Sequence, residues 1–187
     1  MRSHDILPGV VDAPKSYSER WAGGDRVDPP YVGTEREILI AYLDWHRATF
    51  EAKCAGVPSE RLSERGVPPS SLSLHGLVRH LAGVERWWFR IQLAGEHVPR
   101  LYNSDDDPHQ DFDRLDGDVS EAFAVWRDEC QRSREIVATS SLEQIGTMLN
   151  GQLVSLRRVL ADMIAEYARH NGHADLLRER IDGATGM

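Results

Sequence analysis

Apolar residues recur along this chain at the three- and four-residue spacing of helices that bury one face, and no segment alternates in the manner of a strand. The first run opens at Thr34, where Thr34 to Glu37 reads as a capping box: the threonine oxygen takes the Glu37 N–H and the Glu37 side chain reaches back to the Thr34 N–H. Ile38, Tyr42, Trp45, Thr49 and Phe50 follow at helical spacing until Gly56 and Pro58 stop the run. Ser73 is the N-cap of a second helix, because Leu72 and Leu77 stand where a hydrophobic staple needs them and Pro68-Pro69 excludes an earlier start. Its stripe is Leu77, Leu81, Val84, Trp88 and Ile91, and Gly95 ends it. A capping box at Asp118 to Glu121 leads into a third helix with Phe123, Trp126, Cys130 and Val137 inward. The last helix, capped by Ser155 and running to Gly183, turns Leu156, Val159, Leu160, Met163 and Tyr167 to the core.

Four amphipathic helices predict an all-α fold, a four-helix bundle, and bundles build their metal sites from side chains on facing helices. Residues 1–33 carry Pro8, Pro14, Pro29, Pro30, Gly23 and Gly24 with little periodicity, which predicts an extended N-terminal arm ahead of a folded body at 34–187. Glu96 to Asp118 is rich in aspartate but lacks the central glycine and closing glutamate of a calcium loop in usable register, so a solvated acidic loop is expected.

Polar residues interrupt two of the inward faces. His80 stands in the middle of the second stripe. At about 100° per residue, Glu166 and His170 fall in the arc of Val159 and Met163, while Arg157, Arg158 and Arg169 fall outside it. A buried carboxylate needs a cation beside it. Glu166 and His170, one turn apart, can satisfy each other by a hydrogen bond, or can share a metal ion. A lone inward histidine reads as a satisfied core residue, but two such exceptions on two facing helices favour a His80, Glu166, His170 site. That N, O, N set suits zinc, nickel or a similar divalent ion and leaves a coordination position for water or substrate. His173 is a rival ligand or an orienting partner; Asp162, one turn before Glu166, is a second candidate for that role, and His46 ranks below both. Trp87 and Trp88 read as packing or as a pocket wall, and Arg79, Arg86 and Arg90 as surface partners of Glu85 and nearby acids. No nucleophile elbow or phosphate-binding glycine loop is present.

Composition narrows the partners. The formal charge is -8 and the basic residues are scattered among carboxylates, which argues against nucleic acid. The amino end has no basic stretch followed by an apolar one, and no segment is long and apolar enough to cross a bilayer, so a cytoplasmic protein without membrane contact is expected. Cys54 and Cys130 lack metal-finger spacing and read as reduced thiols.

Leu74 to Phe89 and Glu166 to Glu179 together resemble the DinB-like superfamily of metalloenzymes, and more narrowly its actinobacterial mini-circle branch; the likeness covers Pro29 to Gly186. It implies an up-down-down-up bundle, often dimeric, with a divalent metal near one end of the core. Most members use three histidines, the last two four residues apart; here Glu166 takes the place of the first of that pair. The mycothiol-dependent maleylpyruvate isomerase branch uses the same His, Glu, His set. The resemblance therefore implies a transferase or isomerase that uses a low-molecular-weight thiol such as mycothiol on a small-molecule substrate, and a possible homodimer. The competing expectation is a helical interaction or stress-response protein whose site is structural or empty.

Overall fold

A computed structural model describes residues 26–185, and the expected arm therefore lies largely outside the described residues. Its last part, from Arg26, runs without helix or strand to Thr34, with Arg26 donating to Thr49 at 3.2 Å and lying over the Trp45 ring. The long helices are α1 (Glu35–Cys54), α2 (Leu74–Glu85), α4 (Val119–Thr139) and α5 (Leu156–Asp182), with a one-turn helix α3 (Gln110–Asp113) between α2 and α4. The chain is all-α in class, with α1 packed along α5 and α2 along α4.

The expected starts hold. Thr34 and Glu37 make both halves of the capping box, Ser73 accepts from the Gly76 N–H, and Ser155 accepts from the Arg158 N–H. Asp118 caps α4 through the Ser120 N–H, and the capping box expected with Glu121 does not form. Each such cap contributes about 1 kcal/mol by satisfying a donor that the helix leaves open. Gly183 closes α5 at φ 76°, a left-handed turn that glycine adopts without penalty.

The inward arc of α5 is as expected, with Leu156, Val159, Leu160, Met163 and Tyr167 fully buried. On α1 the expected stripe holds at Thr49 and Phe50, which are buried, but Tyr42 is 44 % exposed and Leu43, Arg47 and Cys54 face the core in addition. Arg47 turns inward because Glu85 of α2 is buried opposite it, a pairing that an apolar pattern cannot reveal. Arg79, Arg86 and Arg90 likewise do not pair with Glu85, although Arg90 does meet a nearby acid, Glu96, at 2.8 Å. Arg79 donates to the backbone oxygens of Gln110 and Arg114, and Arg86 and Arg90 both hold the buried Glu129.

Two further departures shape the lower body. α2 continues as a π-helix from Arg86 to Leu93, which shifts the register so that Phe89 and Leu93 are buried and Trp88 is only half-buried. The connection before α5 contains an antiparallel hairpin, β1 (Ile145–Thr147) with β2 (Leu153–Ser155), although no strand was expected there. Three-residue strands are too short to show alternation. Gly146 lets β1 lie directly on the backbone of Gln92 and Leu93, where any Cβ would collide. The hairpin exposes Ile145, Leu149 and Leu153, whereas Trp87 and Trp88 are half-buried. No described helix is long and apolar enough to cross a membrane.

Candidate metal centre

α2 and α5 bring His80, Glu166 and His170 together, with one potential ligand atom from each lying within 4.8 Å of the others. Both imidazole Nε2 atoms point at the same carboxylate oxygen: Glu166 Oε1 lies 3.2 Å from His80 and 3.1 Å from His170. The rings are tilted against each other with centroids 4.7 Å apart. Glu166 and His170 share a face because they are one turn apart, and the fully buried Met163 and Tyr167 on either side fix the rotation of α5 that aims them at α2.

The residue that orients His80 comes from the connection expected to be solvated. Asp111, on α3, is 4 % exposed, and its Oδ2 lies 2.8 Å from His80 Nδ1. An ionised carboxylate only accepts, so Nδ1 carries the proton and donates it to Asp111. Phe112 stacks on the His80 ring, with centroids 5.2 Å apart, and its backbone N–H donates to Asp111 Oδ1 at 3.0 Å. Gly76, one turn before His80, makes room for this: a Cβ there would lie 2.9 Å from the Phe112 ring. Behind His170, His173 places its Nδ1 3.3 Å from His170 Nδ1. Asp162 does not reach the cluster, because its carboxylate is taken by Arg158 one turn back at 2.7 Å. His46 meets Asn171 instead, at 3.3 Å.

The electrostatics follow from two imidazoles converging on one carboxylate oxygen. With Nδ1–H committed to Asp111, the His80 Nε2 lone pair would face the Glu166 oxygen unless a positive particle stood between them. In the metal-free protein that particle is a proton: burial disfavours the imidazolium, but hydrogen bonds to Asp111 and Glu166 outweigh it and push the His80 pKa up to about 9. Hydrogen bonds from His170 and His80 hold the Glu166 carboxyl well below its ordinary range, against the opposing effect of burial. Burial, assisted by His170 and Arg169, lowers the His173 pKa.

The donor set fits a divalent ion. Ligand atoms about 2.0–2.2 Å from one zinc ion lie roughly 3–4 Å from one another, the range in which both Nε2 to Oε1 separations fall. Imidazoles and carboxylates are ligands that zinc and nickel accept, and each histidine has a second residue at its far nitrogen, as metal-binding histidines commonly do. Asp111 escaped the sequence pattern because nothing in the spacing of an acidic loop ties it to a histidine 31 positions earlier. The one available signal was the glycine on the histidine's own helix face. No curated protein sequence matches the chain. A family match covers residues 38–183, and the chain thus belongs to the mycothiol-S-transferase family, within the DinB-like superfamily.

Proposed function

We propose that the protein is a metal-dependent transferase in which His80, Glu166 and His170 hold one divalent ion, zinc or nickel, and a low-molecular-weight thiol of the mycothiol type is transferred to an electrophilic small molecule. The observation that carries this reading is the aim of two imidazole Nε2 atoms, from different helices, at one carboxylate oxygen. Three protein donors leave a four-coordinate ion one position for a ligand. When bound, the ion supplies the positive charge that lowers the pKa of a thiol at that position toward neutrality.

The chain's own residues prepare that arrangement. Asp111 holds the His80 proton on Nδ1 and leaves Nε2 free to face the centre, and His173 stands at the corresponding nitrogen of His170. The protein does not furnish the thiol. Burial pushes the Cys54 thiol up to about 12 and raises that of Cys130 as well, and both are closed off in the core. The reacting sulfur therefore belongs to the ligand.

Elemental analysis of protein prepared without chelator or nickel-affinity tags should find about one divalent ion per chain. In the cobalt-substituted protein, added mycothiol should produce a sulfur-to-metal charge-transfer band that survives replacement of both cysteines by serine. A spectrum that no thiol changes, with water retained on the metal, would point to a metal-hydroxide hydrolase. Protein that binds no metal at all would point to a non-catalytic helical interaction protein. The reading places the protein in the cytoplasm as a homodimer, for which Ile145, Leu149 and Leu153 of the hairpin offer an exposed apolar surface. Light scattering that gives a monomer at every concentration contradicts the dimer.

A further inference from the structure

Arg79, the residue before His80, is 6 % exposed, and its charge meets no carboxylate within ion-pair distance among the described residues. Burying a cation without a counter-charge is costly, so what this side chain does hold needs a physical reason. Its Nη2 donates to the Gln110 carbonyl at 3.0 Å and its Nη1 to the Arg114 carbonyl. Those carbonyls stand at the first residue of α3 and just past its last, on either side of Asp111. A guanidinium is a rigid fork, so holding two acceptors at once fixes the orientation of the turn between them as well as its distance. The Nε–H is buried and has no acceptor among the described residues; the side chain is placed for the two carbonyls while its third donor position goes unmet.

The face of α2 around Arg79 is shaped to receive this connection. Gly76, Arg79 and Gly83 follow one another at three- and four-residue spacing and share a face. A Cβ at Gly83 would lie 3.0 Å from the Leu101 carbonyl, and one at Gly76 would lie 2.9 Å from the Phe112 ring. Between them the Arg79 guanidinium sits 4.5 Å over the ring of Tyr102, whose φ of 55° is uncommon outside glycine. The two glycines permit close approach but hold nothing. Arg65 also donates to the Phe112 carbonyl, at 3.1 Å, but from a half-exposed side chain whose donors water can satisfy equally well. Asp111 cannot place itself: α3 has four residues and no side-chain cap, far below the length at which a helix holds its own shape.

We propose that Arg79 is a positioning residue of the metal centre: by gripping α3 on both sides of Asp111 it keeps that carboxylate on His80 Nδ1, and so keeps His80 Nε2 aimed at the oxygen shared with His170. This rests on the metal-dependent reading of the cluster and adds the residue that sets its outer carboxylate. Arg79 and His80 are consecutive in α2, so one stretch of backbone fixes both the grip and the imidazole that receives Asp111.

Zinc affinity, measured in a cycle with Asp111, separates this role from simple packing. Arg79→Met keeps the apolar stem and removes the donors, and should weaken zinc binding about tenfold or more, the scale on which outer partners of a metal-binding histidine act. Arg79→Met combined with Asp111→Asn should bind zinc no more weakly than Asp111→Asn alone, because both changes break one chain of contacts. In metal-free protein labelled with 15N-histidine, the His80 Nδ1–H signal should be lost in Arg79→Met and kept in Arg65→Ala, which removes only the surface tie to the same segment. Arg79→Lys keeps the charge but cannot span both carbonyls; it should show the same losses, and it carries the test if Arg79→Met fails to fold. Losses that add in the double variant, a His80 signal unchanged by either Arg79 variant, or equal loss of that signal in Arg65→Ala would each overturn the role of Arg79. Native protein that binds no zinc overturns the metal-dependent reading instead, and the His80 signal of the metal-free protein then decides whether Arg79 places Asp111.

Discussion

Two neighbouring residues of α5, Glu166 and Tyr167, join that helix to α2 through carboxylates in opposite ways. Tyr167 donates its hydroxyl to Glu85 at 2.7 Å and accepts from Trp126 Nε1 at 2.8 Å. Glu85 is fully buried and is gripped by Arg47 through two bonds of 2.8 and 2.7 Å. Burial opposes the Arg47 charge, but the Glu85 carboxylate more than restores it and holds its pKa well above the ordinary value; burial raises that of Tyr167. Nothing in that network is ready to give up a proton near neutrality. Glu166 instead has imidazoles for partners, and an imidazolium proton can be exchanged for a metal ion. The fully buried Glu85, paired with arginine, is a closed structural element, whereas the half-buried Glu166, paired with histidines, is the element whose proton the proposed metal ion would replace.

The sharpest way to break this contrast is to remove one member from each site. His80→Ala should bring metal content below detection while helical signal is retained, because the apolar arcs carry the fold; loss of both would make the cluster structural. Arg47→Met should do the reverse, costing about 3–5 kcal/mol in denaturant unfolding by stranding Glu85, with metal stoichiometry of the folded protein unchanged.

Smaller changes sharpen the comparison. Asp111→Asn should weaken metal binding about tenfold to a hundredfold, since outer partners of metal-binding histidines typically have that effect. An unchanged affinity would reduce Asp111 to a packing role. The smallest effect is on pH dependence in the metal-free protein. The folded pKa of His80, about 9, lies above its ordinary 6.5. Its contribution to stability is therefore complete below about pH 6.5 and is lost as pH rises through about 9. Glu166, whose pKa is lowered, contributes above its ordinary 4.5 and loses that contribution as pH falls further. Unfolding measured from pH 6 to 10 should show a decline in the native protein that His80→Gln removes. Metal binding should strengthen over the same interval, because the ion no longer has to displace the His80 proton. A flat profile in both measurements would mean that the proton is not where the geometry places it.

Helix starts were legible because caps are local: Thr34, Ser73, Asp118 and Ser155 each meet a donor two or three residues onward. The core arc of α5 and the inward placement of Glu166 and His170 were legible because a helix repeats its faces at a fixed angle. The metal-binding candidates were thus fixed to their helix faces by the sequence itself, as was the all-α class. Tertiary structure alone decided the rest. The rotation of α1 depends on Arg47 finding Glu85 on another helix, the π-helical register of α2 accompanies the hairpin packed against it, and Asp111 gains its role when the α2–α4 connection folds back over Gly76. Periodicity records which side of an element avoids water, but the partner of a buried charge is chosen by distance in space, and sequence separation carries no trace of it.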